Sequence, residues 1–387
     1  MRFEFATATR IIFGPGTLRE VGQIARDFGC RALVVTGRDA RRADRLITCL
    51  YEHEIEVVTF SVFREPEIST IEQAVALARS RKCDLVLSIG GGSALDSGKA
   101  VAAMLANGGK LLDYLESIGP GKALTKPSIP FIAIPTTAGT GSEVTRNAVL
   151  ASAEHRVKVS LRSAFMLPKV ALVDPELTYD LPPALTASTG MDALTQLIEP
   201  FVCSRANPLV DALCLEGMRR AARALPAAFE TPSDVAARED MAIASLFGGL
   251  ALANAGLGAV HGFAGPIGGM FPAPHGAVCA ALLPYVMEVN LRALRERAAG
   301  NEALARYEQV ARVLTGNPDA NAATGVEFVS RLIADMKIAP LSKYGVTGEH
   351  TAELVERAAK ASSMKANPIA LTPQELSEVL DRALGVS

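Results

Sequence analysis

The chain has 387 residues, which is more than a domain with one hydrophobic core usually contains and fits two domains of ordinary size. Its 39 Lys and Arg nearly balance its 41 Asp and Glu, and the net charge of −2 excludes bulk nucleic acid or an anionic membrane surface as an electrostatic partner. With 49% hydrophobic and 21% charged residues, the chain can bury a large core and is not disordered.

The first half alternates short apolar runs with helical patterns. Runs rich in β-branched residues predict strands at 31–36, 56–60, 84–89, 130–134 and 170–173. Helical patterns occupy 71–81 and 94–106. Because the strands are almost continuously apolar and alternate with helices, we expect an α/β domain with a parallel sheet covered on both faces.

After Pro175 the pattern changes to Ala- and Leu-rich helical segments, and no strand is predicted. Helices are predicted at 184–203, 208–224, 235–257, 276–290, 303–314, 326–336, 351–361 and 373–384. The Pro- and Asp-rich segment 174–185 marks the boundary. We therefore expect an α/β domain over residues 1–178 and an all-helical domain over 179–387.

Two glycine- and hydroxyl-rich loops follow predicted strands. The strand at 84–89 runs into Gly90-Gly91-Gly92-Ser93 and then a helix, whose free N–H groups and positive dipole end suit a pyrophosphate. A tight turn is the alternative, but three glycines exceed what a turn needs. The segment is neither a GxGxxG fingerprint nor a P-loop. The second loop places hydroxyl donors at the carboxyl edge of the sheet, where ligands bind in doubly wound folds; they include Thr136, Thr137 and Thr140.

Residues 241–287 contain no Asp, Glu, Lys or Arg. This stretch is long enough to span a membrane, but its histidines, prolines and glycines and its lack of basic flanks favour buried helices of a soluble core. Its two histidines, His261 and His275, are separated by GPIGGMFPAP. That insert is expected to break the helix, with His261 near one helix end and His275 at the next helix start.

Asp192 and Gln196 are four residues apart in a helical pattern and project from one face. Asp192 is either a residue favoured by the helix dipole or part of a functional site. A lone histidine is most often structural, whereas two in an apolar segment make metal binding or catalysis about as plausible. An aspartate, two histidines and a neutral oxygen donor would suit a divalent transition metal.

The six cysteines are scattered and form no CxxC pair, which predicts buried, reduced thiols in a cytosolic protein. The N-terminal segment MRFEFATATRIIFG carries Glu4 and lacks a long apolar run, so no signal peptide is expected. Together these features predict a cytoplasmic location.

The chain resembles the iron-containing (group III) alcohol dehydrogenases. The similar stretches occur in the family's order and cover almost the whole chain; they are RIIFGPGTL, SIGGGSALDSGKA, AIPTTAGTGSEVT, VALVDPELT, GMDALT and HGFAGPIGGMFPAPHG with LLPYV. The resemblance implies an α/β dinucleotide-binding domain, an all-α domain of the type shared with dehydroquinate synthase, and an active site in the cleft between them. It also implies an enzyme that is often dimeric.

The family binds a catalytic Fe²⁺, sometimes Zn²⁺, through one aspartate and three histidines. Asp192, His261 and His275 match three of these ligands, and Gln196 stands where the family has the remaining histidine. Gly265 replaces a further family histidine. An amide oxygen binds metal more weakly than imidazole, so we expect metal binding to be weakened or lost, as in the related maleylacetate reductases.

The resemblance also assigns cofactor contacts. Gly91, Gly92 and Ser93 correspond to pyrophosphate-binding residues, Thr136, Thr137 and Thr140 would line the cofactor, and Lys158 matches a lysine near the nicotinamide ribose.

Cofactor choice depends on the residue after the strand at 31–36, where relatives that use NAD often carry Asp. Here that residue is Gly37, followed by Arg38, Asp39 and two further arginines. Without the carboxylate a 2′-phosphate is not repelled, and a guanidinium can pair with it. We therefore expect NADP(H) to be accepted at least as well as NAD(H). Alternatively, the arginines only solvate a helix start and Asp39 reaches the ribose.

The sequence thus predicts an NAD(P)-dependent, metal-assisted oxidoreductase that interconverts a small alcohol and its aldehyde or ketone. One alternative is a metal-free, maleylacetate reductase-like enzyme with His261 or His275 as general acid. The other is a dehydroquinate synthase-like lyase, which would call for lysines and arginines around a phosphorylated substrate. The uncharged 241–287 segment argues against that lyase.

Overall fold

A parallel sheet organises the first part of the chain in the computed structural model, which describes residues 2–116, 118–152, 154–155 and 157–385. The strands are β1 (Arg10–Phe13), β2 (Arg31–Thr36), β3 (Glu56–Ser61), β4 (Leu85–Gly90), β5 (Phe131–Pro135), β6 (Asn147–Ser152), β7 (Val157–Arg162) and β8 (Val170–Val173). Six of these described strands form one sheet in the order β1-β8-β5-β4-β2-β3, with parallel pairing throughout. Strands β6 and β7 form an antiparallel hairpin.

Both faces of the parallel sheet are buried, as predicted. On β2, Leu33 and Val35 belong to one hydrophobic cluster, whereas Ala32 and Val34 belong to another on the opposite face. The helices of this part are α1 (Val21–Arg26), α2 (Asp44–Glu52), α3 (Ile68–Ser80) and α4 (Gly92–Asn107). The five predicted strands are confirmed. The short elements β1 and α1, the hairpin and α2 were not predicted, because their partly exposed residues lack a continuous apolar run.

The rest of the chain is helical. Its helices are α5 (Pro183–Val202), α6 (Pro208–Glu230), α7 (Val235–Asn254), α8 (Ala259–Met270), α9 (His275–Arg297), α10 (Ala303–Thr315), α11 (Ala322–Asp335), α12 (Thr351–Lys360) and α13 (Pro373–Leu384). No strand occurs in the described residues after Val173, as the sequence pattern predicted. These helices share one large hydrophobic core.

Contacts within the chain define two compact units. The α/β unit contains Ala6–Thr137 and Gly141–Tyr179. The helical unit contains the residues up to Phe5, the segment Ala138–Thr140 and the chain from Asp180 onward. Thr140, predicted to line the cofactor, therefore belongs to the helical unit.

The insert between the two histidines breaks the helix, as predicted, but only over its last four residues. Helix α8 continues through Gly265 and Pro266 to Met270, and the break falls only at residues 271–274. Burial of Phe263 and Ile267 in the core outweighs the low helix propensity of the glycines and proline. The predicted placement of His261 near a helix end and of His275 at a helix start is confirmed.

The uncharged stretch forms buried helices. Among the described residues, α9 is the single helix that is by itself long and apolar enough to cross a membrane, and α7 and α8 meet the same criterion only as a pair bent by 97°. In α9, 78% of the 18-residue apolar stretch is buried inside the protein, as is usual for a helix in a hydrophobic core.

All six cysteines are free thiols, but the prediction that they are buried holds only for Cys203, Cys214 and Cys279. Cys30 is exposed, and Cys49 and Cys83 are half-buried. Cys30 and Cys83 lie in the loops before β2 and β4 and Cys49 near the end of α2, where the chain meets solvent.

Candidate functional site

The carboxyl ends of β2 and β4 lie side by side, with Thr36 opposite Ile89. The strand that follows β2 in sequence lies on one side of it and β4 lies on the other, so the strand order reverses here. Open α/β sheets bind ligands at such a switch point. The backbones come close: a Cβ on Gly90 would lie 2.6 Å from the Cβ of Ala94 and 3.3 Å from the Gly37 nitrogen. Only glycine at position 90 allows this approach.

The two loops singled out from the sequence are neighbours at this edge. Gly91 is the N-cap of α4 and has no side-chain cap, and the Ala94 N–H already donates to the Gly91 carbonyl, so the N–H groups of Gly92 and Ser93 are the ones placed to bind an anion. A Cβ on Gly91 would lie 3.4 Å from Thr137 Oγ1, and the Thr136 N–H donates to the Gly90 carbonyl at 2.9 Å. Gly92 and Ser93 form the start of α4. The structure therefore brings most of the predicted pyrophosphate-binding residues together.

A buried lysine joins α4 to the second loop. The Lys99 ammonium is fully buried and donates to the Ser142 carbonyl at 2.9 Å, to Thr145 Oγ1 at 2.8 Å and to the Asn147 carbonyl at 2.5 Å. Asp96 lies 3.1 Å from the same nitrogen and accepts from Ser142 Oγ at 2.6 Å. The sequence had excluded Lys99 only as a P-loop lysine, and its positioning role was missed.

The segment after β2, which was predicted to determine the choice between NAD and NADP, has open space at Gly37 and a paired carboxylate at Asp39. Among the described atoms, a Cβ added at Gly37 would meet nothing within 4 Å. The exposed Asp39 carboxylate is bound by Arg41 through two bonds, Nε to Oδ1 at 2.9 Å and Nη2 to Oδ2 at 3.0 Å. This pairing lowers the pKa of Asp39 and offsets its charge locally. Lys158 pairs with Glu65 at 3.0 Å.

The helical unit holds a buried polar cluster, which we call the four-residue cluster: Asp192 on α5, His261 on α8, and His275 and Cys279 on α9. One ligand atom from each residue lies within 4.8 Å of all the others. Asp192 Oδ1 is 3.4 Å from His261 Nε2 and 3.6 Å from His275 Nε2. The side chain of His275 is 33% exposed, against 6% for His261 and 3% for Asp192, so His275 is the most solvent-accessible of these three.

Charges within the cluster determine its pKa directions. Burial lowers the pKa of His261 and His275, but the charges of Cys279 and Asp192 outweigh burial and raise both pKa values. Burial raises the pKa of Asp192, but His275 and a hydrogen bond with His261 outweigh it and lower that pKa. Burial likewise opposes ionisation of Cys279, yet the two imidazoles lower its pKa.

Glu199 orients His261. Its Oε2 lies 2.6 Å from His261 Nδ1, and its Oε1 accepts from the Val260 N–H at 2.8 Å. A proton on Nδ1 is shared with Glu199, and the opposite ring nitrogen, Nε2, faces Asp192. Sequence reasoning missed both Glu199 and Cys279. The available signals were spacing: Glu199 lies one turn beyond Gln196, and Cys279 lies one turn beyond His275.

Gln196 reaches the cluster through its amide. It is 3% exposed and its amide hydrogen-bonds to Asp192, whereas its Oε1 has no hydrogen-bond partner within the described part of the chain. Direct metal ligation by Gln196 therefore stays a prediction. Gly265, at the position of a second family histidine, is surrounded by open space: no described atom would lie within 4 Å of an added Cβ.

Comparisons with known proteins agree over the whole length of the chain. Residues 8–175 match the iron-containing alcohol dehydrogenase family, and residues 186–384 match the C-terminal domain of the Fe-containing alcohol dehydrogenase family. A 1,3-propanediol dehydrogenase from Klebsiella pneumoniae is 35% identical over 390 residues, which cover 98% of each chain.

Solved structures give the same result. The structure of a 1,3-propanediol oxidoreductase superposes with a TM-score of 0.92 at 34% identity, covering 99% of this chain and 100% of that one. A sulfoacetaldehyde reductase from Bifidobacterium kashiwanohense, solved in complex with NAD⁺, gives a TM-score of 0.87 at 29% identity, covering 100% of each chain.

Proposed function

The chain belongs to the iron-containing alcohol dehydrogenase family and is an alcohol oxidoreductase, and we propose that it interconverts a small, uncharged alcohol and its aldehyde or ketone. The family implies NAD(P) as hydride carrier and a divalent metal. The observation that carries the proposal is the four-residue cluster, in which carboxylate, imidazole and thiol ligand atoms converge in the interior of the helical unit.

The residues present fit a divalent transition metal. Carboxylate and imidazole donors are suited to Fe²⁺ and Zn²⁺. The buried Gln196 Oε1, which has no hydrogen-bond partner among the described residues, belongs to the amide that contacts Asp192. Asp192, His261 and His275 would hold the ion. When bound, it supplies a Lewis acid that polarises the substrate oxygen.

The protein's own groups prepare this site. Glu199 fixes the tautomer of His261, and the Val260 N–H in turn fixes Glu199. In a site without metal, the more exposed His275 would instead be placed to pass a proton between substrate and solvent. Burial of Asp192 excludes water and strengthens each electrostatic interaction within the cluster.

The glycine loops of the α/β unit support the cofactor part of the proposal. Gly90, Gly91, Gly92 and Ser93 would cradle the pyrophosphate, with Thr136, Thr137, Thr140 and Lys158 as further contacts. We propose that NADP(H) is accepted at least as well as NAD(H). The support is the open space at Gly37 and the engagement of Asp39 by Arg41, which offsets the Asp39 charge that would otherwise repel a 2′-phosphate.

The substrate proposal follows from charge and from the relatives. Residues 241–287, which include α8 and part of α9, contain no Asp, Glu, Lys or Arg. An anionic or phosphorylated substrate would find no lysine or arginine there. The relatives' names include a propanediol dehydrogenase, which supports a short alcohol or diol.

The test combines metal analysis with a substrate panel. The full chain is stripped of metal, reloaded separately with Fe²⁺ and Zn²⁺, and assayed with C2–C4 alcohols, diols and aldehydes, using both cofactors. We expect about one metal per chain and activity restored on reloading. His275→Ala should lose both metal and activity, whereas His53→Ala, which removes a histidine of the α/β unit outside the cluster, should retain both.

The metal-free alternative gives a different result in the same test. Gln196 and Gly265, which replace two family histidines, favour that alternative. A stripped enzyme with full activity would establish it, with His275 as general acid. Unchanged metal content and activity in His275→Ala would refute both versions of the site.

A further inference from the structure

Cys279 lies inside the proposed metal site, although the ligand pattern of the family contains no thiol. Its Sγ is 3.7 Å from Asp192 Oδ1, 3.8 Å from His275 Nε2 and 3.9 Å from His261 Nε2. Cys279 follows His275 by four residues on α9, so both side chains project from the same helix face. The thiol is fully buried.

Five of the six ligand-to-ligand distances are close to those around a tetrahedral ion. With Zn–N and Zn–O bonds near 2.1 Å and a Zn–S bond near 2.3 Å, a tetrahedral angle gives edges of about 3.4 Å between N and O donors and about 3.6 Å to sulfur. The two measured O–N distances are 3.4 and 3.6 Å, and the three distances to sulfur are 3.7, 3.8 and 3.9 Å. Each lies within about 0.3 Å of the corresponding tetrahedral edge.

Gln196 contacts the cluster through a hydrogen bond between its amide and Asp192, so it acts on the carboxylate. It also lies against α7, since a Cβ added at Gly248 would be 3.2 Å from the Gln196 Cβ and 3.7 Å from its Oε1. The fourth corner is therefore the thiol position, and the amide serves to orient Asp192.

We propose that Cys279 is the fourth protein ligand of the divalent metal, which gives one carboxylate, two imidazoles and one thiolate; the substrate oxygen would then enter as a fifth ligand. This inference rests on the proposed metal-dependent function and specifies its ligand set. Binding the ion displaces the thiol proton to solvent. A soft thiolate ligand favours Zn²⁺, so the preference for Zn²⁺ over Fe²⁺ should be stronger in the wild type than in Cys279→Ser.

The first experiment uses Co²⁺ as a spectroscopic probe in the full-length, metal-stripped protein. The wild type should show a thiolate-to-cobalt charge-transfer band in the near ultraviolet together with the visible bands of tetrahedral cobalt. Cys279→Ser should lose the charge-transfer band. The matched control is Cys214→Ser, the same change at a buried thiol of α6 outside the cluster, and it should keep the band.

The second experiment is X-ray absorption at the zinc edge of the wild-type protein, which requires no variant to fold. One sulfur scatterer at about 2.3 Å, beside nitrogen and oxygen at about 2.0–2.2 Å, is the expected first shell. In a chelator competition, Cys279→Ser should bind Zn²⁺ at least about tenfold more weakly.

The outcomes separate the two proposals. If the wild type binds one metal per chain but shows neither sulfur scattering nor a charge-transfer band, the thiolate inference is overturned and the proposed metal-dependent function stands. If the wild type binds no metal, both fail. A charge-transfer band that persists in Cys279→Ser also overturns the inference.

Discussion

Lys99 is the group whose removal tests how the cofactor loops are held. Its ammonium connects α4, which begins at the glycine loop, to Ser142, Thr145 and Asn147 of the second loop and its neighbouring strand. Lys99→Met keeps the length and the apolar stem of the side chain but removes every hydrogen bond and the charge. We expect a less stable α/β unit and weaker cofactor binding.

The structure sets the size of this effect. Removing one partner of a buried ion pair costs about 3–5 kcal/mol because the other charge is left uncompensated. Here the loss is smaller, since Asp96 keeps donors at Ser142 Oγ (2.6 Å) and the Val149 N–H (2.9 Å). Burial also lowers the pKa of Lys99, because the buried ammonium loses its hydration, and this desolvation offsets part of the free energy that its hydrogen bonds contribute. A net loss of about 2–4 kcal/mol follows, or roughly 4–16 °C in Tm for a domain of this size.

The assays are thermal unfolding and a fluorescence titration with NADPH and NADH. Displacement of the second loop should raise the Kd for either cofactor by about tenfold, equivalent to roughly 1.4 kcal/mol. Lys110→Met, which removes an exposed lysine in the segment after α4, is the matched control and should change neither quantity. Tm and Kd both unchanged in Lys99→Met would refute the positioning role.

Three further predictions follow from buried or reoriented charges. Burial raises the pKa of Glu143 to about 7 from an ordinary 4.5. The free energy of unfolding should therefore be highest below pH 4.5 and fall by roughly 3 kcal/mol as the pH rises through 7. Glu143→Gln should make Tm nearly independent of pH across that window, and a pH dependence of Tm equal to that of the wild type would contradict the assignment. Gly37→Asp, for which the open space around Gly37 leaves room, should lower the ratio of kcat/KM for NADP to kcat/KM for NAD by at least about tenfold. A wild type that strongly prefers NAD, together with an unchanged ratio in the variant, would disprove the cofactor proposal. Glu199→Gln should reverse the tautomer of His261 and weaken metal binding by about 10–100-fold in a chelator competition. Equal metal affinities of the variant and the wild type would show that Glu199 is not needed to orient His261.

The α/β unit was predictable where its elements are fully buried. Strand β4 is apolar apart from Ser88 and buried at every position, so its run of residues identifies it without periodicity. Strand β1 has two exposed residues in four, and its pairing with β8 joins segments about 160 residues apart. No local pattern contains that pairing, and the strand was therefore missed.

The helical site was predictable only in part, for a related reason. Asp192 and the two histidines stand out because they are polar residues in apolar sequence. Cys279 does not, because a cysteine among Ala and Val is ordinary core composition. Its proximity to Asp192 depends on how α5 and α9 pack, across 87 residues of chain. The helix through Gly265 and Pro266 was missed because tertiary burial overrides local propensity.

The start of α8 shows how the fold positions His261 without any strong local signal. The first N–H groups of a helix lack intrahelical partners, and here two of them are satisfied by side chains from elsewhere in the unit. The Ala259 N–H donates to Asn367 Oδ1 at 3.1 Å, and the Val260 N–H donates to Glu199 at 2.8 Å. Because the same Glu199 carboxylate binds His261 Nδ1, the group that caps the helix also orients the imidazole. Capping and the orientation of His261 thus depend on one carboxylate, and a substitution that loosens the start of α8 should disturb the proposed metal site as well.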